Sequence, residues 1–422
     1  SFKAAVLLSL LVLPFQVTAE PPEYAYASQV LKEGEHKIVQ DLSNQERVIL
    51  QATVALKGDR PSEAITLLDS AKNRDPLVAL LEAEAHRQQA MHAMREADGF
   101  GGQAEQGSEL LASADLQRGL GEADARLNSF MDRLHQISGD PLDILQLSPD
   151  VENVFMFDKA RNRMFVYQAD ENGKLKKIAD EYVVTGSVVG DKQRQGDGKT
   201  PNGIYRFIKK LQGKELAARY GPVAFPIDYP NELERLQEKN GNGIGLHGYP
   251  MDVNRRPPQD TRGCFSLSNK RLLQVAEYVR LKKSWVITGE NFQFDQHQDK
   301  QELMDSVQRD IEAWRQDWMS LDSEAYLSHY HDAFRAGKRD LKAWKTYKRR
   351  VNANKTFVEV SFENLTLMHD PTRWPEGEVM LAEFDQHYRS SNYSDQGRKR
   401  LYLARDSKDS PWKVLLEESL KQ

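Results

Sequence analysis

Two side chains of this sequence suit nucleophilic chemistry: Cys264, the one cysteine among 422 residues, and His247, seventeen positions before it. A thiol attacks carbon as its thiolate, and with an ordinary pKa of about 8.5 it needs a nearby base or positive dipole to react near neutrality. His247 is the candidate base. Glycines stand beside both, at Gly248 and Gly263, where freedom in φ and ψ lets a substrate come close to the backbone. Those positions suit N–H donors for an oxyanion, and the chemistry that follows is acyl transfer through a thioester. A lone cysteine also serves as a small buried hydrophobe and a His-Gly pair as a turn, so residue types alone leave both readings open.

Residues so far apart cannot meet on one helix or one strand. They meet if Ile244-Gly245-Leu246-His247 ends one strand and Cys264-Phe265-Ser266-Leu267 begins the next, with the Pro- and Arg-containing loop folding over the site. The surrounding chain supports a sheet. Val154 to Phe157, Arg163 to Tyr167 and Tyr182 to Val184 are β-rich runs that follow the Gly139-Asp140-Pro141 break. Gly196-Asp197-Gly198-Lys199-Thr200 superficially matches a phosphate-binding loop, but Gln193 stands where that motif needs glycine and Pro201-Asn202-Gly203 turns where it needs a helix. Nucleotide binding is therefore rejected.

Three ordered motifs, Gly198-Lys199-Thr200-Pro201-Asn202-Gly203-Ile204-Tyr205, Gly243 to Gly248, and Thr261-Arg262-Gly263-Cys264, together resemble the catalytic domain of the YkuD-type L,D-transpeptidase family, over roughly residues 150 to 290. The resemblance implies a β-rich domain acting on peptidoglycan stem peptides, with Cys264 as nucleophile, His247 as base and the Gly248 carbonyl orienting the histidine. Arg262, Gly263, Ser266 and Tyr249 form the expected substrate-binding or oxyanion set. Two departures fall here: the commoner family pattern has His at Arg262 and Arg at Ser266, which touches the acceptor and product more than the thiol chemistry.

The length predicts two to four domains, with 39% hydrophobic and 29% charged residues, an ordinary soluble balance. A net charge of −5 gives no electrostatic reason to expect nucleic acid. Lys3, the apolar run Ala4 to Val17 and the small residues before Glu20 read as a signal peptide, 1–19, cleaved after Ala19. That run is shorter than the about 20 residues a membrane span needs. The expectation is an exported, periplasmic protein with no stable span after cleavage; there structural cysteines normally come in pairs, so an unpaired Cys264 favours a reactive thiol.

Residues 20–140 read as a helical domain, with Val48, Leu50, Val54 and Leu56, then Ala64, Leu67, Leu68 and Ala71, at helical spacing. Pro61 and Pro76 each sit where a helix opens, and Leu120 to Ile137 reads as a further helix. This domain is either a dimerisation or partner surface or a packing platform. The catalytic domain is expected at 141–290, a polar linker at 291–302, and a C-terminal domain at 303–422. In the last, Val307, Ile311, Trp314, Trp318 and Leu321 line one helix face, Asp322 caps a helix carrying Tyr326, Tyr330 and Phe334, and alternating strands follow. Helices before a curved sheet resemble the nuclear-transport-factor-like α+β cone. Lys345 to Arg350 reads as a solvated helix face, and His329 with His331 as no metal pair. The fold class is thus multidomain α+β: helical domain, β-rich catalytic domain, α+β cone.

This domain order resembles the peptidoglycan L,D-carboxypeptidases that help set cell shape. The resemblance implies trimming of stem tetrapeptides to tripeptides, without cofactor or metal, the stem peptides being the partner and a homodimer through the helical domain a further expectation. Transpeptidation and a non-catalytic wall-binding scaffold are the alternatives.

Overall fold

The computed structural model of the chain describes residues 22–40, 42–71, 76–98, 114–134, 140–253, 256–295 and 298–420. The expected signal peptide, 1–19, the loop 100–108 and the boundary residue Gly139 lie outside the described residues. The chain divides into two compact units, Ser1–Leu134 and His135–Gln422.

The first unit is helical: Pro22–Glu33, Lys37–Gln40, Asn44–Lys57, Pro61–Asp69, Pro76–Asp98 and Ala114–Leu134. Ser43 caps the third helix by accepting from the Glu46 N–H, and Pro61 opens the fourth, where its missing N–H is no loss. Leu50, Val54, Ala64 and Leu68 are fully buried, as the spacing predicts.

In the second unit a five-stranded sheet has the order Leu175–Tyr182, Arg163–Ala169, Asn153–Asp158, Trp285–Gly289, Gly203–Arg206. Side chains alternate along its central strand, as the two-residue period of a strand requires. Phe155 and Phe157 pack into a core with Phe225, Leu246 and Phe265, whereas Val154 and Met156 pack into a core with Met368, Leu381 and Tyr402. The central sheet is therefore covered on both faces, which explains why its strands read as unbroken apolar runs. On one face lies a four-stranded sheet, ordered Phe265–Leu267, Gly245–Gly248, Val223–Pro226, Leu211–Gln212, with the Phe157 and Phe265 rings stacked at 4.0 Å between the layers.

The other face belongs to the cone: helices Gln298–Ser320, Ser323–Ser328 and Leu341–Asn352 with a seven-stranded sheet. Its edge strand, Ile144–Gln146, comes from the region expected to be catalytic and pairs with Leu367 and Met368. Glu383, 1% exposed, ties the layers by accepting from Arg206 at 2.7 Å, Arg398 at 2.8 Å and Arg400 at 2.8 Å. Arg206 lies over the Trp285 ring at 3.6 Å.

Three expectations are corrected. The stretch 291–302, read as a linker from its polarity, carries strand Phe294–Asp295, paired with Asp140–Pro141, and the start of a long helix. Tyr330 and Phe334 lie on a strand, Tyr330–Ala336, because a spacing of four fits the period of a strand as well as that of a helix. Lys348, placed on a solvated face, is buried, its ammonium 4.6 Å from the Trp344 ring and 4.8 Å from the Trp318 ring.

Candidate active site

His247 and Cys264 come together because their strands are neighbours. Gly245–Gly248 runs parallel to Phe265–Leu267 with His247 opposite Ser266. Cys264 immediately precedes the second strand, two residues before Ser266, as Gly245 stands two before His247. Side chains two apart share a strand face, so thiol and imidazole look out on one side. On the other flank His247 is opposite Ala224, and the Tyr220 ring meets the imidazole edge-on at 4.9 Å.

The imidazole is 6% exposed. Its Nδ1 lies 2.7 Å from the Gly248 carbonyl oxygen, an atom that only accepts, so Nδ1 carries the hydrogen and Nε2 of the neutral ring keeps a lone pair. Burial pushes the His247 pKa down to about 4, assisted by the Arg256 charge and opposed by the Gly248 bond. Dense packing pushes the Cys264 thiol up, against the pull of the Gly245 backbone N–H and the Lys192, Arg256 and Arg262 charges. At neutral pH the resting pair is therefore a neutral thiol beside a neutral imidazole. The thiol donates to the Gly243 carbonyl at 3.4 Å and not to His247; a cysteine and its base often stand loosely apart until substrate arrives.

The nucleophile turn is braced by Thr261, whose hydroxyl donates to the Cys264 carbonyl at 2.7 Å and accepts from the Gly263 N–H at 3.1 Å. The Gly263 N–H, expected among the oxyanion donors, is thereby engaged. Gly263 itself has φ +123°, and a Cβ there would sit 2.6 Å from the Lys199 carbonyl oxygen. Lys199 belongs to the loop that superficially matches a phosphate site. That loop closes on the Asp197 carboxylate instead, which accepts from Lys192 at 2.6 Å and from the backbone of Gln193, Arg194 and Lys199.

The remaining expected contacts divide. Arg262 is exposed beside the thiol, with no ion-pair partner among the described residues. Ser266 is fully buried and Tyr249 is 3% exposed, so neither offers a surface to substrate; both lie under the loop rather than on it. The Ser266 hydroxyl instead donates to the Gly248 carbonyl at 3.1 Å. Sequence reasoning missed Tyr220, Thr261 and Arg256. The arginine content of the loop gave a signal for the last.

Comparison with known proteins accords with this arrangement. Residues 152–287 match the L,D-transpeptidase catalytic domain family, YkuD, and residues 306–418 match the Cds6 C-terminal NTF2-like domain. The Escherichia coli (strain K12) protein YafK aligns over 109 residues at 27% identity, spanning 25% of this chain and only 39% of that protein. The Bdellovibrio bacteriovorus protein Bd1075 shares the fold, with 24% identity and a TM-score of 0.59 across 68% of this chain and 99% of its own. Pgp2, the helical cell shape determining protein of Campylobacter jejuni, is 32% identical with a TM-score of 0.57, over 68% of this chain and 97% of its own. With a relative of that identity covered almost end to end, the chain belongs to the YkuD L,D-transpeptidase family, joined to an NTF2-like C-terminal domain.

Proposed function

We propose that this protein is an exported peptidoglycan L,D-carboxypeptidase whose nucleophile is Cys264 and whose base is His247. The observation that carries the reading is the His247 imidazole held neutral, with Nδ1–H fixed on the Gly248 carbonyl and a lone pair kept on Nε2. In the proposed reaction the Cys264 sulfur bonds to the carbonyl carbon at the L-centre of diaminopimelate in a tetrapeptide stem while Nε2 takes the thiol proton. The Cys264 N–H serves the oxyanion. Collapse breaks the C–N bond, and the imidazolium returns its proton to the departing D-alanine amine. Water, activated by Nε2, then cleaves the thioester, releasing the tripeptide and restoring the thiol.

Arg262 supports recognition of a stem carboxylate through its planar fork. The C-terminal domain, 303–422, is proposed to place substrate and to supply no reacting group. A cavity of about 520 Å³ there, lined by Trp318, Lys348, Lys355, Tyr388 and Lys399, supports a role in holding anionic parts of the wall. A part in determining cell shape, as the name of Pgp2 states for that protein, belongs to the same proposal.

Incubating the purified protein with a disaccharide tetrapeptide tests the choice of reaction. The expected products are the tripeptide and free D-alanine. Dominant cross-linked dimers, or exchange of added D-amino acids, would make the protein a transpeptidase instead.

A further inference from the structure

We propose that Arg256 is a positioning residue for the histidine base, acting through Ser266 and the Gly248 carbonyl. The inference rests on the cysteine-enzyme reading above. The Arg256 side chain is 14% exposed although it sits in the loop over the site. Its Nε donates to Asp260 Oδ2 at 3.0 Å, one amino group donates to the Asp260 carbonyl, and the other donates to Ser266 Oγ at 3.3 Å. Its own carbonyl accepts from the Tyr182 hydroxyl at 3.1 Å. The guanidinium is thus held at several points and turned toward the strand opposite His247.

A guanidinium has donors and no acceptor, so the Ser266 oxygen must accept from it. The single hydroxyl hydrogen is then left for the Gly248 carbonyl at 3.1 Å. The same carbonyl oxygen accepts His247 Nδ1–H at 2.7 Å, while Ser266 Oγ and Nδ1 stand 3.5 Å apart, too far for a strong bond between them. Two donors therefore converge on one oxygen, which has two lone pairs. The chain has a fixed direction: guanidinium to hydroxyl, hydroxyl to carbonyl, imidazole to carbonyl. Its consequence is that the imidazole hydrogen stays on Nδ1 and the reactive face of the ring is the unprotonated Nε2.

The same cation faces both reacting groups. The charges acting on Cys264 are those of Lys192, Arg256 and Arg262, and around His247 stand Arg256 and Tyr220. Lys192 is paired with Asp197 and Arg256 with Asp260. The Arg256 charge draws the thiol toward the thiolate and opposes protonation of the imidazole, so it favours nucleophile and base together.

Because Cys264 is the sole cysteine, its alkylation by iodoacetamide reports this thiol alone and needs no substrate. The full chain and the variants Arg256→Gln, Arg256→Lys and Ser266→Ala are compared for alkylation rate against pH and for D-alanine release from a disaccharide tetrapeptide. Arg256→Gln is expected to move the alkylation midpoint upward and slow alkylation at neutral pH by roughly three- to tenfold. Arg256→Lys, which keeps the charge but not the fork, restores the midpoint without restoring kcat. Ser266→Ala leaves the midpoint near that of the unaltered chain and lowers kcat at unchanged KM. An unaltered alkylation profile and kcat in Arg256→Gln would overturn the proposal; should that variant misfold, an unaltered kcat in both Ser266→Ala and Arg256→Lys would do so. A parent protein that alkylates normally but releases no D-alanine defeats the enzymatic reading, while the alkylation profiles still decide the role of Arg256.

Discussion

Burial weakens two nitrogen bases in the second unit, His247 in the site sheet and Lys348 in the cone, and leaves them in opposite states. His247 falls to about 4 and stands neutral at physiological pH. Lys348 falls to about 8 and keeps most of its charge. The difference lies in their surroundings. His247 satisfies one nitrogen on the Gly248 carbonyl and keeps a lone pair on the other. Lys348 has the rings of Trp344, Trp318 and Tyr326 around its ammonium and feels the Glu417 carboxylate, which is itself bonded to Lys399 at 2.5 Å. A neutral base suits proton transfer. A retained cation in a cavity suits attraction of an anion, and aromatic faces are the neighbours that tolerate it.

The comparison presumes that site sheet and cone are parts of one folded unit, and the Glu383 joint is the place to break it. Burial alone would raise the Glu383 carboxyl, but the Arg400 and Arg206 charges hold it below the usual carboxylate range. A depressed carboxyl contributes stability that is present above its unfolded pKa and lost as pH falls through the folded one. Glu383→Gln, leaving three arginines short of their partner, is expected to cost about 3–5 kcal/mol in denaturant unfolding at neutral pH. It should also remove part of the acid sensitivity. A change under about 1 kcal/mol would mean the layers are held by apolar packing alone. For the same reason, deleting 303–422 is a poor test of the cone: it strips the cover from Trp285 and removes the partner of strand Ile144–Gln146.

The His247 half is sharpened by acid. Its folded pKa lies below the ordinary histidine value of about 6.5, so the stability tied to the neutral ring is complete above about 6.5 and is lost as pH falls toward 4. The loss amounts to at most about 3 kcal/mol. Equilibrium unfolding of the parent across that window is expected to steepen relative to His247→Gln, and the acid limb of kcat/KM should lie nearer 4 than 6.5. An acid limb near the ordinary value would contradict an imidazole weakened by burial.

The Lys348 half carries the smallest effect, and its stability runs the same way with pH in a more alkaline window. A lysine with a lowered folded pKa destabilises at neutral pH, and the penalty fades only as pH rises from about 8 past the unfolded value. Lys348→Met is therefore expected to stabilise by about 1–3 kcal/mol. If the cavity holds wall anions, the same variant loses activity on intact sacculi more than on small muropeptides. Equal activity on both would leave the cone without that role.

The sequence made the reacting pair legible because cysteine is unique in this chain and the flanking glycines and short apolar runs mark strand ends. The helical unit was legible from its spacing and prolines. What was not legible depends on contacts between distant segments. Ser266 looks like a surface residue beside a nucleophile until the parallel register sets it against His247. The role of Arg256 depends on its bonds to Asp260 and Ser266, which the loop's sequence does not announce. Lys348 sits in a basic run that reads as solvated, and only the packing of three rings buries it. Strand Ile144–Gln146 joins the cone's sheet across more than two hundred residues of chain, which no local pattern announces.

The most direct measurement is capture of the covalent intermediate. The protein is mixed with a disaccharide tetrapeptide, quenched in acid within the first turnovers and mapped by peptide mass spectrometry. The account predicts a muropeptide acyl group, lacking the terminal D-alanine, on the peptide containing Cys264, and neither adduct nor D-alanine release in Cys264→Ala. Continued release of D-alanine by Cys264→Ala would contradict it.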